Sequence, residues 1–231
     1  MVRRLQRLPL LHDLAHNTLV VDGQSQAPAQ GKRLAFGSQN GVDFAMSDAG
    51  EIYRGKGVRF VRTVALVNAN LIVVVDAVRA ADDAEHVFDL AVHLNGEWHA
   101  LPEGKLRPAP EGDGYAEIAD LTTRTTDEPV TLGTNLARLT LAKGSQTEVM
   151  TGAGVGESTA ERVPVAIFRR KAKATTYVWA ISLDGNAGEV EMLASAAPGE
   201  IAAVVKTPEG PVQLLVNSET HSVQIRKEPR R

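Results

Sequence analysis

The chain has 231 residues, 43% of them apolar, with 25 Lys and Arg against 28 Asp and Glu for a net charge of -3. That is enough apolar material for one large β domain or two smaller ones, and the balanced charge argues against nucleic acid, whose partners carry a basic bias. No cysteine is present, which excludes disulfides, thiolate metal sites and cysteine nucleophiles; no apolar run reaches the roughly 20 residues of a membrane helix, so no membrane partner is expected.

The start, MVRRLQRLPLL, is interrupted by Pro9 and ends at His12-Asp13, too short for the apolar core of about 7–15 residues in a signal peptide. Leu5 to Leu14 is the best helical candidate, and it is short. His16-Asn17-Thr18 then runs into an apolar strand, Leu19 to Val21, and Asp22-Gly23 turns the chain before Gln24-Ser25-Gln26. Val42, Phe44 and Met46 alternate with polar neighbours, a period-two pattern. Val58 to Val67 and Leu71 to Val75 are rich in β-branched residues and flank a hairpin turn at Asn68-Ala69-Asn70. Val87 to Leu94 and Leu139 to Ala142 continue the strand signal. The stretch TGAGVGESTAE, Thr151 to Glu161, is small, polar and glycine-rich, and reads as a linker or long surface loop. Further strands are predicted at Val163 to Phe168, Thr175 to Leu183, Ile201 to Val205, Val212 to Val216 and Ser222 to Ile225, separated by Gly, Asn, Asp and Pro turns. The end, RKEPRR, reads as a basic tail.

The expected fold is all-β: an antiparallel two-layer β-sandwich with a smaller C-terminal strand layer. Residues 1–150 form the main sandwich, 151–162 a Gly-rich loop or linker, and 163–231 a small sandwich or a continuation of the first.

The candidate chemistry is sparse. His16, at a strand mouth, suits a zinc ligand, because one imidazole nitrogen can bind metal while the other is held by an acceptor. The ordinary alternative is a histidine hydrogen-bonded at a loop–strand junction, since zinc wants about four partners. His12 and His16 are four apart but lack the glutamate of a helical HExxH site. In EHVFDLAVHLNGEWH, Glu85 to His99, an extended strand puts His93 on one face with Asp89 and Ala91. A His–Asp pair there would suit proton transfer; an interior strand with its polar groups satisfied by loops is the ordinary reading. Gly152, Gly154 and Gly156 lack the strand and helix of a phosphate loop. No GxSxG elbow supports a serine hydrolase, and aromatics at 4% weaken a stacking sugar platform.

Four blocks resemble the C-terminal β-sheet domain of the heparinase II/III-like polysaccharide lyases. TLVVDGQSQ, preceded by His16-Asn17, is similar to that family's HNTVxVDGxxQ strand and turn. YRGKGVRFVRTVALVNANLIVVVDAVRA resembles its arginine-bearing strand, hairpin and strand ending in Asp; EHVFDLAVHLNGEW resembles the next strand; PVAIFRRKAKATTYVWAIS resembles its paired-arginine strand and Thr-rich strand. The blocks keep the family's order. The resemblance implies a β-sandwich closing one side of a cleft whose other side is a helical toroid, and β-elimination on uronic-acid glycans, chiefly by toroid residues. The partners it implies are therefore an acidic polysaccharide and a helical toroid domain or subunit. His16 aligns with a zinc ligand of the family. The GHxHxD block that supplies the family's catalytic histidine and a further zinc ligand is not matched in this sequence, so no catalytic residue is assigned and no cofactor is expected on this chain alone, although the parent family holds zinc. The expected role is support of a substrate cleft without catalysis, in a periplasmic or secreted setting if the family holds. The alternative is a stand-alone glycan- or protein-binding β-sandwich.

Overall fold

In the computed structural model, residues 13–99, 104–158, 160–185, 188–195, 197 and 199–228 are described. Seventeen strands are formed by them: β1 Leu19–Val21, β2 Lys32–Gln39, β3 Val42–Asp48, β4 Val58–Asn68, β5 Leu71–Ala80, β6 His86–His93, β7 Lys105–Leu106, β8 Ala119–Thr126, β9 Val130–Gly133, β10 Arg138–Leu141, β11 Thr147–Val155, β12 Arg162–Ala172, β13 Ala174–Ser182, β14 Val190–Leu193, β15 Glu200–Thr207, β16 Gly210–Asn217 and β17 Ser222–Lys227. The longest described helix is one turn, α1, Gly50–Tyr53. No described helix is long and apolar enough to cross a membrane.

Three antiparallel sheets result, with orders β1-β6-β12-β11-β8-β7, β2-β3-β4-β5-β13-β10-β9 and β14-β15-β16-β17. At β5, β13 and the first half of β4 the middle sheet is buried on both faces, which is why β4 and β5 read as nearly continuous apolar runs. Phe60, Val74, Tyr177 and Trp179 meet Phe88, Leu90 and Phe168 of the first sheet. Val61, Val73 and Val178, on the opposite face, meet Ala203, Val205, Leu214 and Ile225 of the third. A smaller cluster covers the outer face of the first sheet, where Leu14, Tyr115 and Ile118 pack on Val20, Ala91 and Ile167. The chain is thus a two-layer sandwich carrying a smaller C-terminal strand layer, as its pattern predicts.

One boundary differs from the sequence reading. The expected loop at 151–162 is strand as far as Val155, paired residue by residue with β12. Its glycines serve close packing rather than flexibility: a Cβ on Gly152 would lie 2.7 Å from the Ala119 carbonyl oxygen and 2.8 Å from Ile118. Of the two readings for 163 onward, the strand pairing follows the continuation of the first sandwich, because β12 lies in the first sheet and β13 in the middle one. Only the strands from Val190 onward form the added layer. Of the helix expected over Leu5 to Leu14, residues 1–12 lie outside the described residues, and Asp13–Ala15 forms a single 3-10 turn.

Candidate functional site: a ledge at His16

The segment His16 to Gln26 enters the first sheet through β1, which pairs with β6 (Leu19 with Leu90, Val21 with Phe88). Each polar group behind His16 has a holding task. Asn17 Oδ1 accepts from the His93 backbone N–H at 2.6 Å, and the Asn17 carbonyl accepts from Arg62 Nη1 at 2.7 Å. Gln26 Nε2 donates to Thr18 Oγ1 at 2.7 Å and to the Leu19 carbonyl at 3.2 Å. Tyr53, fully buried at the end of α1, donates its hydroxyl to the same carbonyl at 2.5 Å, and burial pushes its pKa up. Lys56 Nζ caps the Gln24 carbonyl at 2.6 Å. Asp22 and Gly23 both take positive φ, 53° and 66°, and form the tight turn. His16 itself stands exposed on this fixed loop.

Under the ledge lies a buried ion pair. Arg62 on β4 donates Nε and Nη2 to the two oxygens of Asp76 on β5, at 2.6 and 2.9 Å, and Trp179 Nε1 on β13 donates to Asp76 at 2.9 Å. Asp76 is wholly buried and Arg62 only 19% exposed. The bidentate geometry suits arginine and not lysine. Through Nη1 the guanidinium ties the middle sheet to the loop that presents His16. The resemblance named these strands, but the pair itself was legible only in the register, which sets Arg62 opposite Asp76.

Beside the ledge the middle sheet is uncovered. Phe36, Ala45, Val64 and Val74 stand in one row across β2 to β5. Val74 is in the core, but Phe36 is 68% exposed, Val64 36%, and Leu66 41%. No residue of β2 or β3 enters the core shared by the first and middle sheets, so an apolar shelf is left beside Arg62, which holds the Asn17 carbonyl, with the Arg33 guanidinium over the Phe36 ring.

The other sequence candidates separate. His93 shares a face with Asp89, as alternation requires, but they do not pair. Asp89 is bound by Arg169 through two hydrogen bonds of 2.8 Å and by the Tyr115 hydroxyl. Both ring nitrogens of His93 are buried without a partner among the described residues, and its pKa falls to about 4, first through burial and then through His16 nearby. His86 Nδ1 meets Asp22 Oδ2 at 2.7 Å, which raises the pKa of the imidazole. His99 is exposed, and His12 lies outside the described residues. Gly152 and Gly154 are in β11 and form no phosphate loop.

For zinc the fit is incomplete. Among the described residues no three His, Cys, Asp or Glu groups converge, and a closed structural zinc needs about four ligands. His16 and the unpartnered His93 are two imidazoles at most, too few to close a zinc site among the described residues.

A family model described as heparinase II/III-like, C-terminal, matches residues 10–209. The chain belongs to that family. The heparinase II/III-like fold recurs in solved structures: heparan sulfate lyase HepC from Pedobacter heparinus superposes with TM-score 0.57 at 14% identity, covering 93% of this chain and 30% of that one. A heparinase III gene product gives TM-score 0.56 at 16% identity, covering 94% of this chain and 30% of its own. An exo-oligoalginate lyase of Saccharophagus degradans is 36% identical over 95 residues, which is 36% of this chain and 13% of the lyase. The heparinase II/III-like chain described here therefore spans less than a third of the length of these relatives.

Proposed function

We propose that this chain is the β-sandwich part of a polysaccharide lyase and that the His16 ledge with the Phe36–Val64–Leu66 shelf forms one wall of a cleft for an acidic glycan. The observation that carries this is the juxtaposition of a rigidly held polar ledge with sheet face left bare by its own fold; exposed apolar surface of this kind marks contact with a partner or ligand. The opposite wall would be a helical domain or subunit. β-Elimination next to a uronate carboxyl needs a positioned base, a proton for the leaving oxygen and stabilisation of developing charge. On this reading those groups come from the opposite wall, and this chain supplies shape and orientation. His16 would contribute one imidazole to a zinc completed by ligands beyond the described residues.

Purified chain mixed with heparan sulfate, alginate and other uronate glycans should give no rise in absorbance from unsaturated product above blank. Turnover would overturn the division of labour proposed here. The alternative, a stand-alone glycan- or protein-binding sandwich, uses the same shelf. It gains if oligosaccharide binds this chain tightly by itself and a Phe36→Ser, Leu66→Ser double variant abolishes that binding.

A further inference from the structure

A second site lies at the other end of the sandwich. Arg170 on β12 sits opposite Phe88, five residues along the ladder from the Val165–His93 pair, so about 16 Å from the His16 ledge at ~3.3 Å per residue. It is 3% exposed. Its Nε donates to Thr147 Oγ1 at 2.8 Å, and Nη1 donates to the Thr176 carbonyl at 2.6 Å and Thr175 Oγ1 at 3.2 Å. The guanidinium stacks 4.4 Å from the Tyr177 ring centroid. All these partners are neutral, the Tyr177 hydroxyl included, because burial pushes its pKa up; burial likewise pulls the arginine's pKa down. By contrast, the adjacent Arg169 has Asp89 and the similarly buried Arg62 has Asp76.

A guanidinium has five N–H donors. Nε and Nη1 are engaged, whereas Nη2 has no hydrogen bond among the described residues. Gly144 packs directly on the guanidinium, since a Cβ there would stand 2.6 Å from Nη2, so only glycine fits on that side. Arg170, Ser145 and Thr175 line a 730 Å³ pocket that runs between the middle and third sheets. The other cations on its wall are paired, Arg59 with Asp48 and Arg79 with Glu219, while the Glu200 carboxylate accepts from the Ser195 hydroxyl. Arg170 is the lining cation left without a counter-ion among the described residues, and a buried charge of that kind is costly unless something pairs with it.

We propose that this pocket is an oxyanion-binding site in which Arg170 Nη2 receives a carboxylate or sulfate, the ligand's body filling the space toward Ile201 and Met192. The pocket has the volume of a small-molecule site. Two sources share this chemistry, a free oxyanion and the acidic group of a sugar. The proposal does not rest on the lyase reading.

The test is calorimetric titration of the full chain with sodium sulfate, sodium glucuronate and glucose at ionic strength matched with sodium chloride. Saturable one-to-one binding of glucuronate alone identifies an acidic sugar, and binding of both anions identifies the oxyanion as sufficient. Ser145→Asp, at an exposed position on the pocket wall, places a carboxylate beside Arg170 without touching the core, and should weaken either anion at least tenfold. Arg170→Gln, with its fold checked by circular dichroism, should do the same. The proposal is overturned if neither anion saturates, if glucose binds equally well, or if Ser145→Asp binds like the parent chain.

Discussion

Asp76 accepts two hydrogen bonds from Arg62 and one from Trp179 with no access to water. Removing one partner of a buried pair strands the other charge, so Asp76→Ala should cost about 3–5 kcal/mol in denaturant unfolding and loosen the ledge at His16. Two histidines should set opposite pH responses. Folding raises the pKa of His86 above its usual 6.5, chiefly through the Asp22 hydrogen bond. The folded chain then holds that proton more tightly than the unfolded one. The stabilisation is full below about 6.5 and is lost as pH rises through the folded pKa, so His86→Gln should cost more at about pH 6 than at about pH 9. His93 is the reverse: its folded pKa is about 4. Between about 6.5 and 4 the unfolded chain binds the extra proton, so stability falls as pH drops through that window. His93→Leu should lose that acid sensitivity and cost little at neutral pH, because neither ring nitrogen has a partner to lose. Both effects are read from unfolding midpoints across pH.

Among the elements, the β2–β3 hairpin joins two layers. Asn40 and Gly41 take φ of 53° and 71°, the tight turn that an Asn-Gly pair favours. From that turn Asn40 Nδ2 donates to the Ile225 carbonyl at 2.7 Å, and Gln39 accepts from the Ile225 N–H at 3.0 Å. These side chains seal the β17 edge of the third sheet. Asn40→Gly keeps the turn and drops the bond, and should cost about 1 kcal/mol, measured by denaturant titration. The Asn-Gly pair stood in the sequence as a hairpin signal, although the alternation from Val42 was the only signal read there. Glycine misled more at β11. A Gly-rich run reads as a loop from one dimension, but Gly152 is small because Ala119 and Ile118 lie against it. Gly152→Val should therefore destabilise by about 1–3 kcal/mol through overpacking rather than stiffen a loop.

For the whole molecule, three sheets and two cores put most of the apolar surface out of water, and the exceptions carry the functional argument. The exposed row of Phe36, Val64 and Leu66 adjoins the ledge, and the cleft between the middle and third sheets holds a cation, Arg170, with no counter-ion among the described residues. The long apolar strands β4, β5 and β13 were legible because both faces of β5, β13 and the first half of β4 are buried, which leaves little polar alternation to confuse the signal. Short or polar strands such as β2, β8 and β14 were not, since their exposed sides carry lysine, threonine and glutamate that read equally well as loop. A paired titration of calcium-free heparan sulfate oligosaccharide into the parent chain and the Phe36→Ser variant would show whether the shelf is a glycan surface, with the variant expected to bind more weakly.

What the amino-acid order determined by itself was local: β-branched runs, turn chemistry, an all-β class, and the four blocks that resemble the lyase family. These depend on nearest neighbours and on periodicity. Which charges meet was decided only by the tertiary structure, because Arg62 and Asp76 face each other through a register, Arg169 and Asp89 lie 80 residues apart, and Arg170, among the described residues, is met by threonines and a tyrosine and paired with no carboxylate.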